Sequence, residues 1–270
     1  RSVDAIVGCS DHVIGKVARA FPHLRDRCHV VPNGTELPGT GTRPDRPGRT
    51  ILFVGRVSPE KGVHVLLEAF EKVARTRPDA RLVIVGSQSV VPREWLADLD
   101  DDPRVRALAR FYPGSYLERL EDQIPPDLRG RVEFAGAIPH PRIAEWYERA
   151  DVAVNPSLSE AFGMSVVEAM AAGLPVVATR VGGMVDSVLE GETGLFVPPD
   201  DAAGLARAID RLLADGPTRR AFGEAGRRRV EERFSWDVVA RQVLDLHETL
   251  AHRSRARAGE GHLALDAGRA

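Results

Sequence analysis

Short apolar runs alternate with longer amphipathic segments along most of the chain. Each run is bounded by glycine, proline or polar residues, which is typical of buried parallel strands, and the segments between the runs repeat apolar positions at helical spacing. The runs predict strands at residues 50–55, 81–86, 132–135, 152–155, 175–179 and 194–197. The segments predict helices at residues 59–76, 141–149, 165–172, 184–189, 200–214, 217–233 and 236–251. This alternation predicts an α/β fold with a doubly wound parallel sheet.

A short leading segment precedes this block. Residues 1–37 contain one predicted strand, at 3–9, and one predicted helix, at 11–20, with Ser10 as its N-cap. Two elements cannot enclose a core of their own, so we expect them to pack against the main block or against a domain outside this sequence. Residues 38–48 are rich in glycine, proline and threonine, which indicates a linker.

The main block also divides by composition. Residues 49–233 form the predicted main domain, and residues 234–252 form a closing helix. Residues 98–130 carry clustered charges and turn signals, which indicate an insertion with its own short helices near the ligand crevice of the sheet. Residues 253–270 are rich in arginine, alanine and glycine without periodicity, and we expect them to be disordered.

Composition and charge restrict the function. The 270 residues are 43% apolar, enough for a packed core, and the formal net charge of -2 leaves no uniformly basic surface for nucleic acid. No apolar run approaches the ~20 residues that cross a bilayer. Cys9 and Cys28 lack disulfide or metal-ligand spacing, which indicates reduced thiols in a cytoplasmic protein. The chain begins at Arg1 without a signal segment, so we expect it to be part of a longer protein.

The first motif that indicates chemistry is the turn after the strand at 50–55. Gly55 and Arg56 are followed by Ser58 and Pro59, which predict a capped helix start, and by Lys61. Such a turn directs backbone N–H groups and the positive end of a helix dipole at one place, where the two basic side chains add charge. A diphosphate fits this arrangement. The alternative is a capped surface helix with two solvated cations.

The second motif follows the strand at 152–155. Glu160 lies in a loop beside Gly163, just ahead of a short apolar helix that begins at Ser165. In α/β sheets a carboxylate at such a position faces bound ligands. Ser165 and Glu168 have the spacing of a capping box, so Glu168 has a purely structural explanation, and Glu160 does not.

Together these motifs resemble a known family. The run Ser-x-x-Glu-x-Phe-Gly, followed by Glu-Ala-Met-Ala-Ala-Gly-x-Pro-Val-Val-Ala-Thr, is similar to the signature of the retaining family-4 glycosyltransferases of the GT-B fold. That fold has two facing Rossmann-like domains. Glu160 and Glu168 match the Glu-x7-Glu pair of the family, and residues 53–62 match its diphosphate loop. Gly182-Gly183 matches its paired glycines, and Asn33-Gly34 resembles its domain crossover.

The resemblance implies a domain organisation and a set of site residues. The main domain resembles the C-terminal domain of the family, which binds the sugar donor. Residues 1–37 resemble a remnant strand and helix of the N-terminal acceptor domain. Residues 234–252 resemble the helix that crosses back to the acceptor domain. Arg56 and Lys61 would bind the diphosphate, Glu160 would lie against the donor sugar, and these three are the implied catalytic residues. Glu168 would bind the ribose hydroxyls. Other implied contacts with the sugar donor are Gly55, Gly86, Ile138, Phe162, Gly163 and Met164.

No metal or cofactor is expected, because two cations and a helix dipole can neutralise a diphosphate. Asp98-Leu99-Asp100 opens an acidic run and is interpreted as solvated charge. His140, before a proline at a predicted helix start, is interpreted as a surface or capping histidine, and His64 is given no role.

The resemblance implies transfer of a hexose or N-acetylhexosamine from a nucleoside diphosphate, UDP by preference, to an unknown acceptor. Two alternatives remain, a non-catalytic nucleotide-sugar-binding module that needs a partner subunit, and a sugar-nucleotide epimerase, which the Glu160/Glu168 spacing disfavours. The isolated chain is expected to be inactive, since relatives place the acceptor site on the other domain. Contact with a membrane surface is expected, if at all, through that domain.

Overall fold

The computed structural model describes residues 3–39, 48–98 and 100–266, without side chains from residue 253 onward. Its strands are β1 (Ile6–Gly8), β2 (Cys28–Val30), β3 (Thr50–Val54), β4 (Arg81–Val85), β5 (Val132–Gly136), β6 (Val152–Asn155), β7 (Val176–Thr179) and β8 (Gly194–Val197). Its α-helices are α1 (Asp11–Ala20), α2 (Val63–Thr76), α3 (Arg93–Leu96), α4 (Pro103–Ala107), α5 (Tyr116–Gln123), α6 (His140–Arg149), α7 (Met164–Ala171), α8 (Met184–Ser187), α9 (Ala202–Ala214), α10 (Gly216–Arg233) and α11 (Trp236–Asp266). Short 3-10 turns cover Pro22–Arg27, Pro59–Lys61, Leu108–Phe111 and Pro126–Arg131.

The main sheet is parallel throughout and has the strand order β5-β4-β3-β6-β7-β8. The chain builds outward from β3 through β4 to β5, then returns to β6 on the other side of β3 and builds outward to β8. The predicted doubly wound sheet is therefore confirmed. The direction of winding reverses between β3 and β6, and open α/β sheets bind ligands outside the carboxyl ends of the strands at such a switch point.

Helices cover both faces of this sheet. Along β3, Ile51 and Phe53 belong to one apolar cluster with α2 and α9, and Leu52 belongs to a second cluster with α6, α7 and α10. Successive residues of a strand point to opposite faces of the sheet. Because residues 51–53 of β3 are all apolar, β3 must be buried on both faces. The two clusters fix the loops at the carboxyl end of the sheet from both faces.

The insertion packs against α2. The predicted short helices of residues 98–130 are confirmed as α4 and α5, whereas α3 lies ahead of that range and was not predicted. His64 of α2 is buried there, its Nδ1 lies 2.8 Å from the Tyr116 hydroxyl, and its ring centroid lies 4.5 Å from that of Phe111. Burial lowers the pKa of His64 to about 4. His64 is thus a structural residue that joins α2 to the insertion.

The leading segment contains more structure than the sequence predicted. β1 is shorter than expected, and β2 pairs with it in parallel after a 3-10 turn. The sequence analysis missed β2 because three residues are too few to show a period. The segment packs on the main domain at the start of α1: the Ser10 hydroxyl donates to the Ala161 carbonyl at 2.7 Å, and the Asp11 N–H donates to Asp186 at 3.1 Å.

The closing helix is longer than predicted. α11 continues to Asp266, whereas the sequence analysis expected disorder from residue 253. Alanine, arginine and leucine in this stretch have high helix propensity, which outweighs the lack of an amphipathic period. The last four residues of the predicted tail and residues 40–47 of the predicted linker lie outside the described residues. Within the part of the chain that the structure describes, no helix has the length and apolarity that a membrane span requires.

Candidate functional site

The loops that leave β3 and β6 lie side by side at the switch point. The Leu158 N–H donates to the Glu60 carbonyl at 2.8 Å. Gly62 adopts a left-handed conformation (φ 69°), and a Cβ atom at this position would collide with the Pro156 carbonyl. Glycine is therefore required here, both for the backbone conformation and for the close approach of the two loops.

The first loop brings a lysine to the carboxylate of the second. Lys61 Nζ lies 2.6 Å from Glu160 Oε2, and both side chains are largely buried. Arg56 lies on the same loop, but its guanidinium pairs with Glu60 Oε1 at 3.0 Å and its side chain is 44% exposed. The structure thus brings Lys61 and Glu160 together directly, while Arg56 stands at the solvent edge of the same loop.

The helix start predicted at Ser58 is wrong in detail. The Ser58 hydroxyl donates to Glu60 Oε1 at 2.6 Å, and no side-chain cap bond forms. Residues Pro59–Lys61 form a 3-10 turn, and α2 begins only at Val63, because the left-handed Gly62 interrupts the helix. Glu60, which the sequence analysis overlooked, is the buried acceptor that fixes both Ser58 and Arg56.

The second loop ends at the start of α7. Gly163 is the N-cap residue of α7, and the N–H groups of Met164 and Ser165 in its first turn have no acceptor among the described residues. Gly182, also left-handed (φ 54°), lies so close beneath the loop that a Cβ atom would collide with the Glu160 carbonyl. The matched glycine pair therefore supports the Glu160 loop, and α7 directs the positive end of its dipole toward the switch point.

Glu168 does not form the predicted capping box. α7 begins one residue earlier than expected, which places Glu168 in its second turn, away from the helix start. Its Oε2 accepts a hydrogen bond from the Tyr147 hydroxyl at 2.9 Å, and its Oε1 lies 3.4 Å from His140 Nε2. His140 is exposed, as predicted, but its place beside Glu168 was not foreseen. The capping-box explanation of Glu168 is thereby removed.

The other predicted contacts surround these groups. The Gly55 N–H donates to the Val85 carbonyl at 2.9 Å, and the Gly86 N–H donates to that of Gly136 at 2.8 Å, so both glycines lie where β3 and β4 end. Ile138 is half-buried against the second core cluster. The Phe162 side chain is buried, with its ring centroid 5.9 Å from that of Phe234, so Phe162 can offer a ligand only its backbone.

A cleft opens beside Glu168. It has a volume of about 180 Å³ and lies between α6, α7 and residues 35–38, where the leading segment ends. Its lining residues are Thr35, Glu36, Leu37, Pro38, His140, Pro141, Ile143, Ala144, Tyr147, Glu168 and Ala172. The cleft gives the Glu168 carboxylate room on the side opposite the core.

The chemistry of the site is that of an anion and hydroxyl binder. Lys61, Arg56 and the start of α7 supply positive charge and N–H donors, and Glu168 supplies carboxylate acceptors. Among the described residues, no group of His, Cys, Asp and Glu side chains is arranged to hold a metal ion.

Comparisons with known proteins identify the family. The family model described as "Glycosyl transferases group 1" matches residues 42–229. The chain is 35% identical to D-inositol 3-phosphate glycosyltransferase of Xylanimonas cellulosilytica, over 94% of this chain and 59% of that protein. It spans about half the length of the curated relatives that it matches.

Solved structures give the same result. Sucrose-phosphate synthase of Thermosynechococcus elongatus has a TM-score of 0.72 and 32% identity, and the match covers 93% of this chain and 59% of that chain. HepE of Anabaena in complex with UDP-glucose has a TM-score of 0.71 and 22% identity, and the match covers 92% of this chain and 65% of that chain. This likeness shows a shared fold. The chain belongs to the group 1 glycosyl transferases, with the GT-B architecture of its structural neighbours.

Proposed function

We propose that this chain is the nucleotide-binding, C-terminal domain of a retaining glycosyltransferase, and that it binds a UDP-hexose or UDP-N-acetylhexosamine. The observation that carries the proposal is the 2.6 Å contact between Lys61 and Glu160 at the switch point, ahead of the start of α7. A cation, a carboxylate and free helix N–H groups at one place match the parts of an activated sugar: a diphosphate and a ring of hydroxyls.

The diphosphate is assigned to the positive side of the site. Lys61 and Arg56 provide full charges, and the N–H groups of Met164 and Ser165 provide donors in fixed positions. When the glycosidic bond breaks, negative charge accumulates on the leaving phosphate, and preorganised donors stabilise it at that moment. A bound diphosphate would compete with Glu160 for Lys61, which would release Glu160 toward the sugar.

The ribose is assigned to Glu168. Its carboxylate is 17% exposed and borders the cleft of about 180 Å³. A carboxylate accepts hydrogen bonds from two neighbouring hydroxyls, and the ribose of a nucleotide presents such a pair. Gly86 and Ile138, at the ends of the neighbouring strands, are assigned to the base.

Transfer itself is proposed for the whole protein. The name of D-inositol 3-phosphate glycosyltransferase supports glycosyl transfer, and the HepE structure that shares this fold is a complex with UDP-glucose. We assign residues 1–37 to the acceptor domain and expect this chain alone to bind the sugar donor without transferring it. We further propose metal-independent binding and a cytoplasmic location, which the free thiols of Cys9 and Cys28 support.

Calorimetry tests the proposal. UDP, UDP-glucose and UDP-N-acetylglucosamine are titrated into the chain with EDTA present, and into Arg56→Ala and Lys61→Ala. Each substitution should weaken UDP binding by about 1.5–3 kcal/mol, as expected for charge-assisted hydrogen bonds. No UDP binding by the unmodified chain, or unchanged affinity in both variants, would refute the diphosphate assignment.

A longer protein that contains the acceptor domain decides between the enzyme and a non-catalytic module. Transfer by the longer protein, with the product anomer matching that of the sugar donor, supports a retaining enzyme. Binding without transfer supports the module that needs a partner subunit.

A further inference from the structure

Tyr147 is a core residue with a polar end at the candidate site. It lies near the end of α6, is 4% exposed, and packs within the apolar cluster beneath the sheet. A buried hydroxyl needs a hydrogen-bond partner, because leaving it unpaired costs desolvation energy. The fold therefore has to provide the Tyr147 hydroxyl with a hydrogen-bond partner, and that partner fixes its orientation.

The hydroxyl points at Glu168. Tyr147 Oη donates to Glu168 Oε2 at 2.9 Å and lies 3.3 Å from the Ser165 carbonyl in the first turn of α7. Burial raises the pKa of Tyr147 well above its usual value, and the nearby Glu168 charge raises it further. The phenol therefore stays protonated and remains a donor.

The two oxygens of Glu168 have unequal partners. Oε2 accepts the short bond from the buried tyrosine, and the contact that the described residues make with Oε1 is that of His140 at 3.4 Å, whose side chain is 78% exposed. A hydrogen bond between buried groups fixes an orientation better than a long contact with a solvated ring. Oε1 is thus the oxygen that a ligand can reach.

We propose that Tyr147 is a positioning residue that orients the Glu168 carboxylate toward the ribose hydroxyls of the nucleotide. This inference rests on the proposed function, since it assigns a task to the ribose carboxylate of that same site. Tyr147 acts through Glu168 and does not touch the ligand. Because it belongs to α6, it also ties the packing of α6 against α7 to nucleotide affinity.

The test compares two nucleotides on Tyr147→Phe. UDP offers the ribose hydroxyls to Glu168, and 2′,3′-dideoxyuridine diphosphate does not. Removing the hydroxyl should raise the Kd for UDP by roughly 3- to 10-fold, the effect of about one ordinary hydrogen bond. The Kd for the dideoxy nucleotide should change less than about twofold, because its binding does not use Glu168.

Tyr116→Phe is the matched control. It also removes one buried hydroxyl, here bonded to His64 at 2.8 Å rather than to Glu168. Both nucleotides should bind this variant with unchanged affinity. Melting temperatures of both variants without ligand measure the structural loss separately. A Tyr147→Phe variant in the Glu168→Ala background should not lower discrimination between the two nucleotides any further.

The outcomes separate the two proposals. If the unmodified chain binds no UDP, the proposed function fails and this inference fails with it. If Glu168→Ala abolishes the preference for UDP while Tyr147→Phe keeps it, or if Tyr147→Phe weakens both nucleotides equally, only the positioning role is overturned. Should Tyr147→Phe not fold, a crystal structure of the unmodified chain with UDP decides: the Tyr147–Glu168 bond must persist while Oε1 contacts the ribose.

Discussion

The two carboxylates of the candidate site are held by different chemistry. Glu160, on the loop after β6, pairs with the ammonium of Lys61 at 2.6 Å. Glu168, in the second turn of α7, accepts a hydrogen bond from the neutral hydroxyl of Tyr147 at 2.9 Å. Both side chains are mostly buried, so each needs a partner, but only one partner carries charge.

This difference divides the candidate site into a Lys61 side, formed by Lys61 and Glu160, and a Glu168 side, formed by Glu168 and Tyr147. The partner of Glu160 can be exchanged for a ligand, and the partner of Glu168 stays in place. A charged partner such as Lys61 can leave its carboxylate for a diphosphate, because one anion replaces another. A neutral donor leaves the charge of Glu168 uncompensated, so the carboxylate can still accept hydrogen bonds from the hydroxyl groups of a ligand. We expect the Lys61 side to respond to charge and salt, and the Glu168 side to respond to hydroxyl groups.

The largest expected effect concerns the anchor of the Lys61 side. The pKa of His64, on the first turn of α2 after Lys61, is lowered by burial to about 4, below the roughly 6.5 of an unfolded chain. Above pH 6.5 His64 is neutral in both the folded and the unfolded chain, and its contribution to the free energy of unfolding is fully present. As the pH falls from 6.5 toward 4, His64 takes up a proton in the unfolded chain first, and the free energy of unfolding falls. The total is about 3 kcal/mol at 1.36 kcal/mol for each pKa unit.

Melting temperatures at pH 7.5 and pH 5 measure about 2 kcal/mol of this loss, because pH 5 lies 1.5 units below the unfolded pKa of roughly 6.5. His64→Gln should remove most of the pH dependence, whereas His247→Gln, on the exposed side of α11, should keep it. An equal dependence on pH in the unmodified chain and in His64→Gln would contradict the anchor role.

The second effect sharpens the charge side directly. Lys61→Ala should weaken UDP binding by about 1.5–3 kcal/mol and leave uridine binding unchanged, because uridine carries no phosphate. Lys72→Ala is the control, since Lys72 lies on the exposed face of α2 beside Glu68. Calorimetry with both ligands checks this. An equal loss for uridine and UDP would mean that Lys61 supports the fold rather than the diphosphate.

The third prediction is that neutralising the two carboxylates changes UDP affinity in opposite directions. Glu168→Gln should weaken UDP binding by about 1 kcal/mol, since a neutral amide is a poorer acceptor for the ribose hydroxyls. Glu160→Gln should strengthen it slightly, by less than about 1 kcal/mol, because Lys61 loses its competing partner. Titration of UDP into the two variants gives the signs. Changes in the same direction would break the distinction between the two sides.

The smallest effect is that of salt. Raising the ionic strength screens charges near the surface, and Arg56 is 44% exposed. UDP affinity should therefore fall severalfold between about 0.05 and 0.5 M NaCl, while uridine affinity stays constant. Parallel titrations at several salt concentrations make the comparison. A salt dependence shared by uridine would place its cause outside the diphosphate contact.

Local signals in the sequence predicted much of the fold. Val152–Asn155 and Gly194–Val197 match their predicted bounds, because apolar runs between turn residues determine buried strands. Periodicity does not show which strands are neighbours, so the switch point between β3 and β6 became visible only in the structure. β2 is too short to show a period.

Site residues were predicted where a motif lies in one loop and missed where packing assembles them. Arg56, Lys61, Glu160 and Glu168 came from two continuous motifs. Tyr147 lies on another helix, and nothing in its local sequence shows that its hydroxyl meets Glu168. The capping-box interpretation failed for a related reason, since a spacing of three residues forms a capping box only if Ser165 is the N-cap residue, and the N-cap of α7 is Gly163.

A crystal structure with UDP-glucose and one with UDP-N-acetylglucosamine would test the central claim most directly. We expect diphosphate oxygens within hydrogen-bond distance of Lys61 Nζ and of the Met164 N–H, with the ribose hydroxyls on Glu168. A nucleotide bound elsewhere, or one whose phosphates point away from Lys61 toward solvent, would contradict the account.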